Sequence, residues 1–294
     1  MDNNCDYKYS IIIPHYNTPF SLIRLLKSIP KRCDVQVIVV DDNSDKEVNV
    51  LKKGVNDDAR CELYSSKSRK HSAGAARNEG LLHSRGKWIL FADADDYFSE
   101  GFLNVLDMYY HEEVDIVFFA YLVIINNTNE SGKRSLRPRK YLEDFYYRRD
   151  HESEVRLRYK WTMPWAKMLK RDLIMDNSIM FDEILVSNDV MFSVRTSNLA
   201  VTIEASLTPI YTVTENTTSL TKNKSEIAFD TRLDVIVSYT KYLRDILTRE
   251  DFHKCISRNR VPIIIQAVYY FGALKGIRTL SKLIKSKVPL YTTR

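Results

Sequence analysis

Short apolar runs alternate with segments of helical spacing in the N-terminal part of the chain. Continuous runs of Val and Ile, separated by helices, are typical of parallel strands that are covered on both faces. The pattern therefore predicts an open α/β sheet, mostly parallel, with helices on both faces. The predicted strands are Ser10–Ile13, Val35–Val40, Cys61–Tyr64, Trp88–Phe91 and Val114–Val123, with helices at Phe20–Ile29 and Ala73–His83.

Polar residues follow three of these strands. Residues 14–17, 41–44 and 93–96 come directly after the first, second and fourth strands. Because ligands of open α/β sheets bind beyond the carboxyl ends of the strands, the three segments are expected to share one ligand-binding rim. The residues after the first strand contain no Gly-rich dinucleotide-binding motif and no P-loop, so both of those sites are disfavoured.

The most acidic of these segments holds Asp93, Asp95 and Asp96. Carboxylates this close together repel one another and are costly to desolvate, and a divalent cation would explain the cluster. All-oxygen ligands favour Mg²⁺ or Mn²⁺ over zinc. An Asp-x-Asp motif is weak by itself, and a solvated turn is the alternative.

The later part of the chain has a different character. Residues 126–132 have the composition of a loop, and residues 134–158 mix Arg and Lys with Tyr and Phe. This basic, aromatic segment suits either contact with phosphates and a sugar ring or a solvated helical surface. From Lys222 onward the pattern is helical, so we divide the chain into a sheet-forming domain, residues 1–221, and a helical C-terminal extension, residues 222–294.

Composition narrows the range of functions. With 44% hydrophobic residues the chain can bury a large core, and its net charge of +6 suits a phosphate-bearing substrate, an anionic membrane or nucleic acid. The acidic rim argues against nucleic acid. Four scattered cysteines, an N-terminus without a signal-peptide pattern and the lack of a bilayer-length apolar run all favour a cytoplasmic protein.

Assembled in order, the motifs resemble those of the family 2 inverting glycosyltransferases, which have the GT-A fold. The resemblance covers roughly residues 9–220. It is carried by Pro14-His15-Tyr16-Asn17, Val39 to Ser44, Gly74 to Gly80, Phe91 to Asp96, Trp165-Ala166-Lys167, Phe181-Asp182-Glu183 and Ser187 to Phe192. It implies an enzyme dependent on Mn²⁺ or Mg²⁺ that moves a sugar from a nucleotide-diphosphosugar, first of all a UDP-sugar. The acceptor would be a hydroxyl of a glycan or lipid-linked molecule in surface polysaccharide synthesis.

The resemblance also implies roles in donor binding. Asp42 would accept a hydrogen bond from the base, which suits uracil because its N3 is a donor, and Pro14 and Tyr16 would line the base pocket. Asp93 would lie near the ribose and hold the metal together with Asp95, the main ligand. For Asp42 and the residue before it, a turn that closes the strand is the alternative.

For catalysis, the resemblance assigns Asp189 as the base that takes the proton of the acceptor hydroxyl. Family members usually carry Glu-Asp at this point, whereas this chain has Asn188 before Asp189. A helix N-terminal Asp stabilised by the helix dipole is the alternative. Arg77 would reach a phosphate or Asp93, and a plain structural ion pair is the other interpretation.

Three further positions have two interpretations each. Asp96 would assist the metal through water or cap a helix that starts near Ser99. Trp165 would lie near the acceptor or pack in the core. Residues 211–221, with Lys222 and Lys224 after them, would form either a lid over the donor phosphates or an exposed linker.

Two rival functions remain open. A nucleotidyltransferase would normally show a Gly-rich loop with Arg and Lys after the first strand, where this chain has residues 14–17. A catalytically inactive sugar-nucleotide-binding protein would be favoured by the loss of Asp95 or Asp189, and both are present.

The C-terminal residues 261–288 join an apolar stretch to spaced cations. The stretch is too short and too interrupted to span a bilayer. The pattern suits the surface of an anionic membrane, where lipid-linked acceptors lie, which would put the protein at the inner face of that membrane. A helix packed on the catalytic domain, with a solvated basic face, is the alternative.

Overall fold

The computed structural model describes residues 6–68, 71–125, 136–215, 225–255 and 260–290. Within these ranges an eight-stranded sheet has the order β3-β2-β1-β4-β7-β6-β8-β5. The predicted α/β sheet is confirmed, and each of the predicted strands is present. The strands are β1 (Tyr9–His15), β2 (Val35–Asp41), β3 (Cys61–Ser65), β4 (Trp88–Phe91), β5 (Tyr97–Phe98), β6 (Ile116–Ile125), β7 (Lys167–Lys170) and β8 (Ile203–Glu215).

The half of the sheet formed by β3, β2, β1 and β4 is entirely parallel. Every residue of β1 and β4 is buried, so both faces of this half are covered, as the apolar runs predicted. β1 continues through Pro14 to His15, two residues beyond the predicted end at Ile13. Pro14 pairs with Val40 of β2 but lies past the last pair with β4, near a strand end where proline is tolerated.

The other half of the sheet is mixed. β7 runs antiparallel between β4 and β6, β8 is parallel to β6, and the short β5 is antiparallel to β8. β8 extends to Glu215, so Tyr211 lies inside this strand rather than in a segment that follows it. The rest of the expected lid, with Lys222 and Lys224, lies outside the described residues, as does the loop predicted at 126–132.

Helices connect and cover the strands. The basic, aromatic segment forms two helices, α5 and α6, which bury Leu142 and Phe145 in the main core while Tyr147 is exposed. The helices are α1 (Pro19–Lys27), α2 (Val48–Asn56), α3 (Ala73–His83), α4 (Phe102–Asp107), α5 (Leu136–Arg148), α6 (His151–Lys160), α7 (Arg171–Asp176), α8 (Val190–Leu199), α9 (Glu226–Ile246), α10 (Arg249–Cys255), α11 (Val261–Phe271) and α12 (Ala273–Lys285).

The helices after β8 have apolar cores of their own. One cluster joins α9, α11 and α12 through Phe229, Leu233, Ala267 and Leu283. A second cluster packs α9 and α10 against α6 and α8. The proposed boundary between residues 221 and 222 falls outside the described residues. None of the helices that the structure describes is long and apolar enough to cross a bilayer.

Candidate active site

The sheet order brings the three polar segments to one rim. β2, β1 and β4 are neighbours and run parallel, so their carboxyl ends lie side by side. His15 at the end of β1 is paired with Asp41 at the end of β2, and the Asp42 N–H donates to the His15 carbonyl at 2.8 Å. Residues 93–96 follow β4 at the same edge. The rim is therefore where sequence reasoning expected it.

Asp41 is fully used in closing the turn after β2. The Thr18 N–H donates to His15 Nε2, so Nδ1 carries the proton and donates to Asp41 Oδ1 at 2.9 Å. Ser44 donates to the same carboxylate through its N–H and its hydroxyl. Burial raises the pKa of Asp41, but the bonds from His15 and Ser44 outweigh it and hold the pKa below its usual value. The turn interpretation is correct for this residue.

Asp42 keeps one carboxylate oxygen open. Its Oδ2 accepts the Ser72 N–H at 2.6 Å, while its Oδ1 is buried and makes no hydrogen bond within the described residues. Burial raises the pKa of Asp42, and the Ser72 N–H and the Ser66 hydroxyl oppose the rise. The Ser66 hydroxyl is likewise buried without a partner among the described residues, so the unpartnered oxygen of Asp42 can take a donor either from Ser66 or from a ligand.

Two aromatic rings lie beside this carboxylate. The Tyr16 and His71 rings are 4.8 Å apart, and His71 Nδ1 is 3.0 Å from the Asp42 carbonyl oxygen. The Tyr16 side chain is exposed, whereas Pro14 is buried within β1. Of the two residues predicted to line a base pocket, only Tyr16 thus offers its face to solvent, and His71 joins it without having been predicted.

Asp96 ties the acidic turn to β8. It is buried, and it accepts the Tyr211 hydroxyl at 2.9 Å and the Thr214 N–H at 2.7 Å. Burial first, and then the charges of Asp93 and Asp95, raise the pKa of Asp96 well above its usual value. The expectation that it caps a helix is wrong, because α4 begins at Phe102 after Gly101. Its oxygens are occupied within the protein.

The other two carboxylates of the turn remain partly exposed. Asp93 uses Oδ1 for Arg77, and its N–H donates to the Tyr211 hydroxyl. The backbone carbonyl of Asp95 accepts from Arg24 at 2.5 Å, which fixes the turn against α1. In the described ranges no three His, Cys, Asp or Glu side chains form a metal-holding group. Two carboxylates fit Mg²⁺ or Mn²⁺ when substrate phosphates supply further oxygens, which is how such ions are often held.

Arg77 on α3 joins the acidic turn to the segment before α8. Its guanidinium donates to Asp93 Oδ1 at 2.6 Å and to Asn188 Oδ1 at 2.8 Å, and it lies over the Phe181 ring. The arginine is buried, and its Nε has no partner among the described residues. The predicted contact between Arg77 and Asp93 is present, and it agrees both with a role in the site and with a plain structural ion pair. Asn188 takes the place of the expected acidic residue as an acceptor without charge.

Asp189 lies next to this bridge, at the start of α8. Asp189 is the N-cap residue of α8, which agrees with the helix-dipole alternative, and its side chain makes no capping hydrogen bond. Burial raises the pKa of Asp189, and the nearby charges of Arg77 and Lys167 oppose the rise. Lys167 is itself fully buried, which lowers its pKa to about 7, and its Nζ donates to the Trp161 carbonyl. A raised pKa makes a carboxylate a stronger base.

The segment that carries Asp189 is held by α3. Asn78 exchanges two hydrogen bonds with the backbone of Phe181, as a neighbouring strand would. Gly74 lets the helix approach closely, since a Cβ there would lie 2.3 Å from the Asp182 carbonyl oxygen and 3.0 Å from Asn188 Cβ. The position of the predicted base thus depends on the small residue at the start of α3.

Gly74→Ala is expected to lower both stability and activity. Alanine is favoured over glycine in a helix by about 1 kcal/mol, but here its methyl group meets backbone, and overpacking costs roughly 1–3 kcal/mol. Thermal denaturation and kcat measure the two effects. Gly54→Ala is the matched control, because its Cβ would meet the flexible Ile23 side chain. Equal behaviour of the two variants would contradict the proposed tight approach.

Several residues that build the rim were not assigned this role from the sequence. Tyr211 holds both Asp93 and Asp96, and Trp165 stacks on Tyr211 with ring centroids 5.6 Å apart. Trp165 therefore backs the acidic turn as part of the core, and it remains partly exposed. Arg24 and the Ser72 N–H act through contacts between distant segments, and no local motif marks them.

The chain is similar in sequence to known proteins. A family model described as Glycosyl transferase family 2 matches residues 10–175, more than half of the chain. The chain is 32% identical over 130 residues to the minor teichoic acid biosynthesis protein GgaB of Bacillus subtilis, covering 40% of this chain and 14% of GgaB. It is 24% identical over 266 residues to the uncharacterized glycosyltransferase EpsJ of the same strain, covering 87% and 76%. The chain thus spans about three quarters of EpsJ and a small part of GgaB.

Solved structures share the fold. TarS 1–349 of S. aureus, in complex with UDP-GlcNAc, superposes with a TM-score of 0.70 at 18% identity, over 96% of this chain and 82% of TarS 1–349. Mannosyltransferase PcManGT from Pyrobaculum calidifontis, in complex with GDP-Man and Mn²⁺, gives a TM-score of 0.55 at 17% identity, over 95% and 75%. At these identities the likeness concerns the fold, and the predicted GT-A type is confirmed.

Proposed function

Since the chain belongs to glycosyl transferase family 2, we propose that it transfers a sugar from a UDP-sugar to a hydroxyl of a glycan or lipid-linked acceptor, with inversion at the anomeric carbon. The family makes it a glycosyltransferase. The observation that carries the finer proposal is the Arg77 bridge. It holds the acidic turn, through Asp93, beside Asn188 and the base Asp189, so that donor and acceptor groups would meet at one point of the rim.

The donor base is proposed to bind at Asp42. The open Oδ1 suits the N3–H of uracil, and the exposed Tyr16 ring with His71 offers a surface for stacking. Related folds have been seen with UDP-GlcNAc and with GDP-Man. Guanine also carries an N–H from which a carboxylate could accept a hydrogen bond. The base preference of the protein therefore tests the uracil assignment directly.

Asp95 and Asp93 would hold Mn²⁺ or Mg²⁺ together with the donor diphosphate. The neighbour with GDP-Man was solved with Mn²⁺, which supports divalent metal use. When bound, the ion would neutralise the negative charge that develops on the departing diphosphate. Asp96 would contribute indirectly, because its bonds to Tyr211 and Thr214 fix the backbone on which the two ligands are carried.

Asp189 is proposed as the general base. Its carboxylate would take the proton from the acceptor hydroxyl as that oxygen bonds to the anomeric carbon and the bond to the diphosphate oxygen breaks on the opposite face. Attack and departure on opposite faces give inversion. The raised pKa of Asp189 strengthens it as a base, while Arg77 keeps its ionised form accessible.

The acceptor is proposed to belong to surface polysaccharide synthesis. The name of the relative GgaB, a minor teichoic acid biosynthesis protein, supports such an acceptor, although the match covers a small part of it. We propose the cytoplasm as the compartment of the reaction. A screen of nucleotide sugars by thermal shift with Mn²⁺ would identify the sugar.

Asp42→Asn should weaken UDP binding by roughly tenfold to a hundredfold, because a hydrogen bond to a charged group is worth about 1.5–3 kcal/mol. The amide oxygen can still accept the Ser72 N–H, which turns the amide NH₂ toward the N3–H of uracil. Isothermal titration of UDP, GDP and CDP with Mn²⁺ measures the change, and Asp172→Asn, at an exposed position of α7, is the control. Preference of the wild-type protein for GDP would overturn the uracil assignment.

A further inference from the structure

Exposed apolar side chains are concentrated on the two last helices. On α12, Leu274, Ile277 and Ile284 are 61%, 64% and 57% exposed. Their spacing of three and seven residues puts them on one face of the helix. On α11, Val261, Ile265, Val268 and Tyr269 are likewise exposed. Soluble proteins rarely expose contiguous apolar patches of this kind unless something covers them.

These faces point away from the protein because the opposite faces are already used. Ala267 of α11 and Leu283 of α12 are fully buried in the cluster with α9. On the side of α12 toward α9, Lys275 pairs with Glu226 and Asp230. The hairpin thus packs on α9 by one side, and the apolar rows on the other side are exposed to solvent.

The two exposed rows adjoin each other. A Cβ added to Gly276 of α12 would lie 2.2 Å from Val268 Cγ2 of α11, so the helices touch where Val268 meets Gly276. Val268 belongs to the exposed row of α11, and Ile277 of α12 directly follows the contact. We name the combined surface, formed by Val261, Ile265, Val268, Tyr269, Leu274, Ile277 and Ile284, the α11–α12 face.

Cations prevail at the outer edge of the α11–α12 face. Residues 260–290 contain six Lys or Arg and no Asp or Glu, and α11 carries no charged residue at all. Lys275 and Lys282 pair with acidic side chains of α9, whereas Arg278 and Lys285 lie seven residues apart on the edge of the apolar row of α12, and both are exposed. A second copy of this chain would bring like charges together at this edge. An anionic lipid surface complements it while accepting the apolar side chains between the headgroups.

We propose that the α11–α12 face docks the protein on an anionic lipid bilayer, with its apolar rows at the headgroup boundary and Arg278 and Lys285 on the lipid phosphates. The helices would lie in the plane of the membrane and would not cross it. This inference does not depend on the identity of the donor or on the catalytic residues. It adds a reason for the enzyme to meet a lipid-linked acceptor, if the proposed function holds.

Sedimentation with vesicles tests the docking. The wild-type chain should sediment with vesicles that contain phosphatidylglycerol, bind pure phosphatidylcholine weakly, and be released as salt screens the charges. Leu274→Ser/Ile277→Ser/Ile284→Ser should lose binding. Arg278→Glu/Lys285→Glu should reduce partitioning at least roughly twentyfold, since each cation near anionic lipid is worth about fivefold.

Matched variants control for general stickiness and charge. Leu82→Ser/Met108→Ser/Val201→Ser removes equally exposed apolar groups elsewhere, and Lys52→Glu/Lys53→Glu on α2 makes the same change of charge. Both should sediment like the wild type. Thermal denaturation and UDP binding verify that every variant is folded, so a failure of the transferase proposal is recognised separately.

Three results would overturn the docking. The first is a wild-type chain that stays in the supernatant with anionic vesicles at low salt, and the second is variants of the α11–α12 face that bind as the wild type does. The third is a concentration-dependent dimer, seen by analytical ultracentrifugation, that does not bind vesicles and is broken by the triple serine variant. That outcome would assign the α11–α12 face to a second copy of the chain.

Discussion

Replacing Asp189 with Asn should lower kcat by roughly 10²–10⁴, the usual contribution of a positioned general base. The amide keeps the size and shape of the carboxylate but cannot take a proton from the acceptor hydroxyl. Donor affinity should stay near the wild-type value, because Asp189 makes no contact in this structure with Asp42, and only a through-space charge interaction links it to Asp93. Steady-state kinetics with donor and acceptor, together with titration of the donor alone, separate the two quantities.

Asp182→Asn is the matched control for this variant. Asp182 lies in the same segment, is partly exposed and faces Arg195 at 3.8 Å, so the same chemical change there should leave kcat nearly unaltered. The pH dependence gives a second readout. The base acts when ionised, so the wild-type rate should be present above the raised pKa of Asp189 and fall as the pH drops through it. Near wild-type turnover in Asp189→Asn would mean that another group takes the proton.

Asp95→Ala should abolish transfer and weaken donor binding. The turn would lose the carboxylate that we propose as the main ligand of the divalent ion, and Asp93, the other proposed ligand, is already paired with Arg77. Treatment of the wild type with EDTA should reproduce the loss, and added Mn²⁺ should restore the wild type but not the variant. Activity assays and titration of UDP with and without Mn²⁺ measure both effects.

Glu100→Ala serves as the control, since Glu100 is an exposed carboxylate shortly after the same turn. Its removal should change neither donor affinity nor the response to Mn²⁺. Thermal denaturation distinguishes loss of the metal ligand from disruption of the turn, to which Arg24, Tyr211 and Thr214 are hydrogen-bonded. Full activity of the wild type in EDTA would remove the metal from the mechanism.

Periodicity was sufficient to predict the sheet and its rim. Buried parallel strands have a strong signature, because both faces must be apolar, and β1, β2 and β4 carry it without interruption. The strands β5, β7 and β8 were not predicted. β5 and β7 are two and four residues long, which is too short for any alternation to stand out, and Pro209 interrupts the longer β8.

The sequence could not separate the roles of adjacent acidic residues. Asp41 and Asp42 look equivalent in the chain, yet His15 and Ser44 satisfy the first and leave the second with an open oxygen. Similarly, the sequence allowed Asp96 to assist a metal through water, whereas in the structure its carboxylate accepts two hydrogen bonds from β8. Such distinctions arise from contacts between distant segments, and local patterns do not contain them.

The outward apolar row of α11 shows a related limit. A helix that is apolar all round is typical of a buried one. The sequence allowed two interpretations of residues 261–288: a segment on the surface of a membrane, or a helix packed on the catalytic domain. The structure shows packing against α9 on one side and exposure on the other. Whether a membrane covers the exposed side stays a prediction.

The bonds between Asp96 and β8 also bear on the order in which the protein can assemble during synthesis. Asp96 is joined to Tyr211 and Thr214, which follow it by 115 and 118 positions. The ribosome thus releases the parallel strands long before the residues that anchor the acidic turn have been made. Contacts across so long a stretch of chain form late, because loop closure must precede them. The nascent chain would therefore form the parallel half of its sheet first and fix the acidic turn only once β8 has joined the sheet.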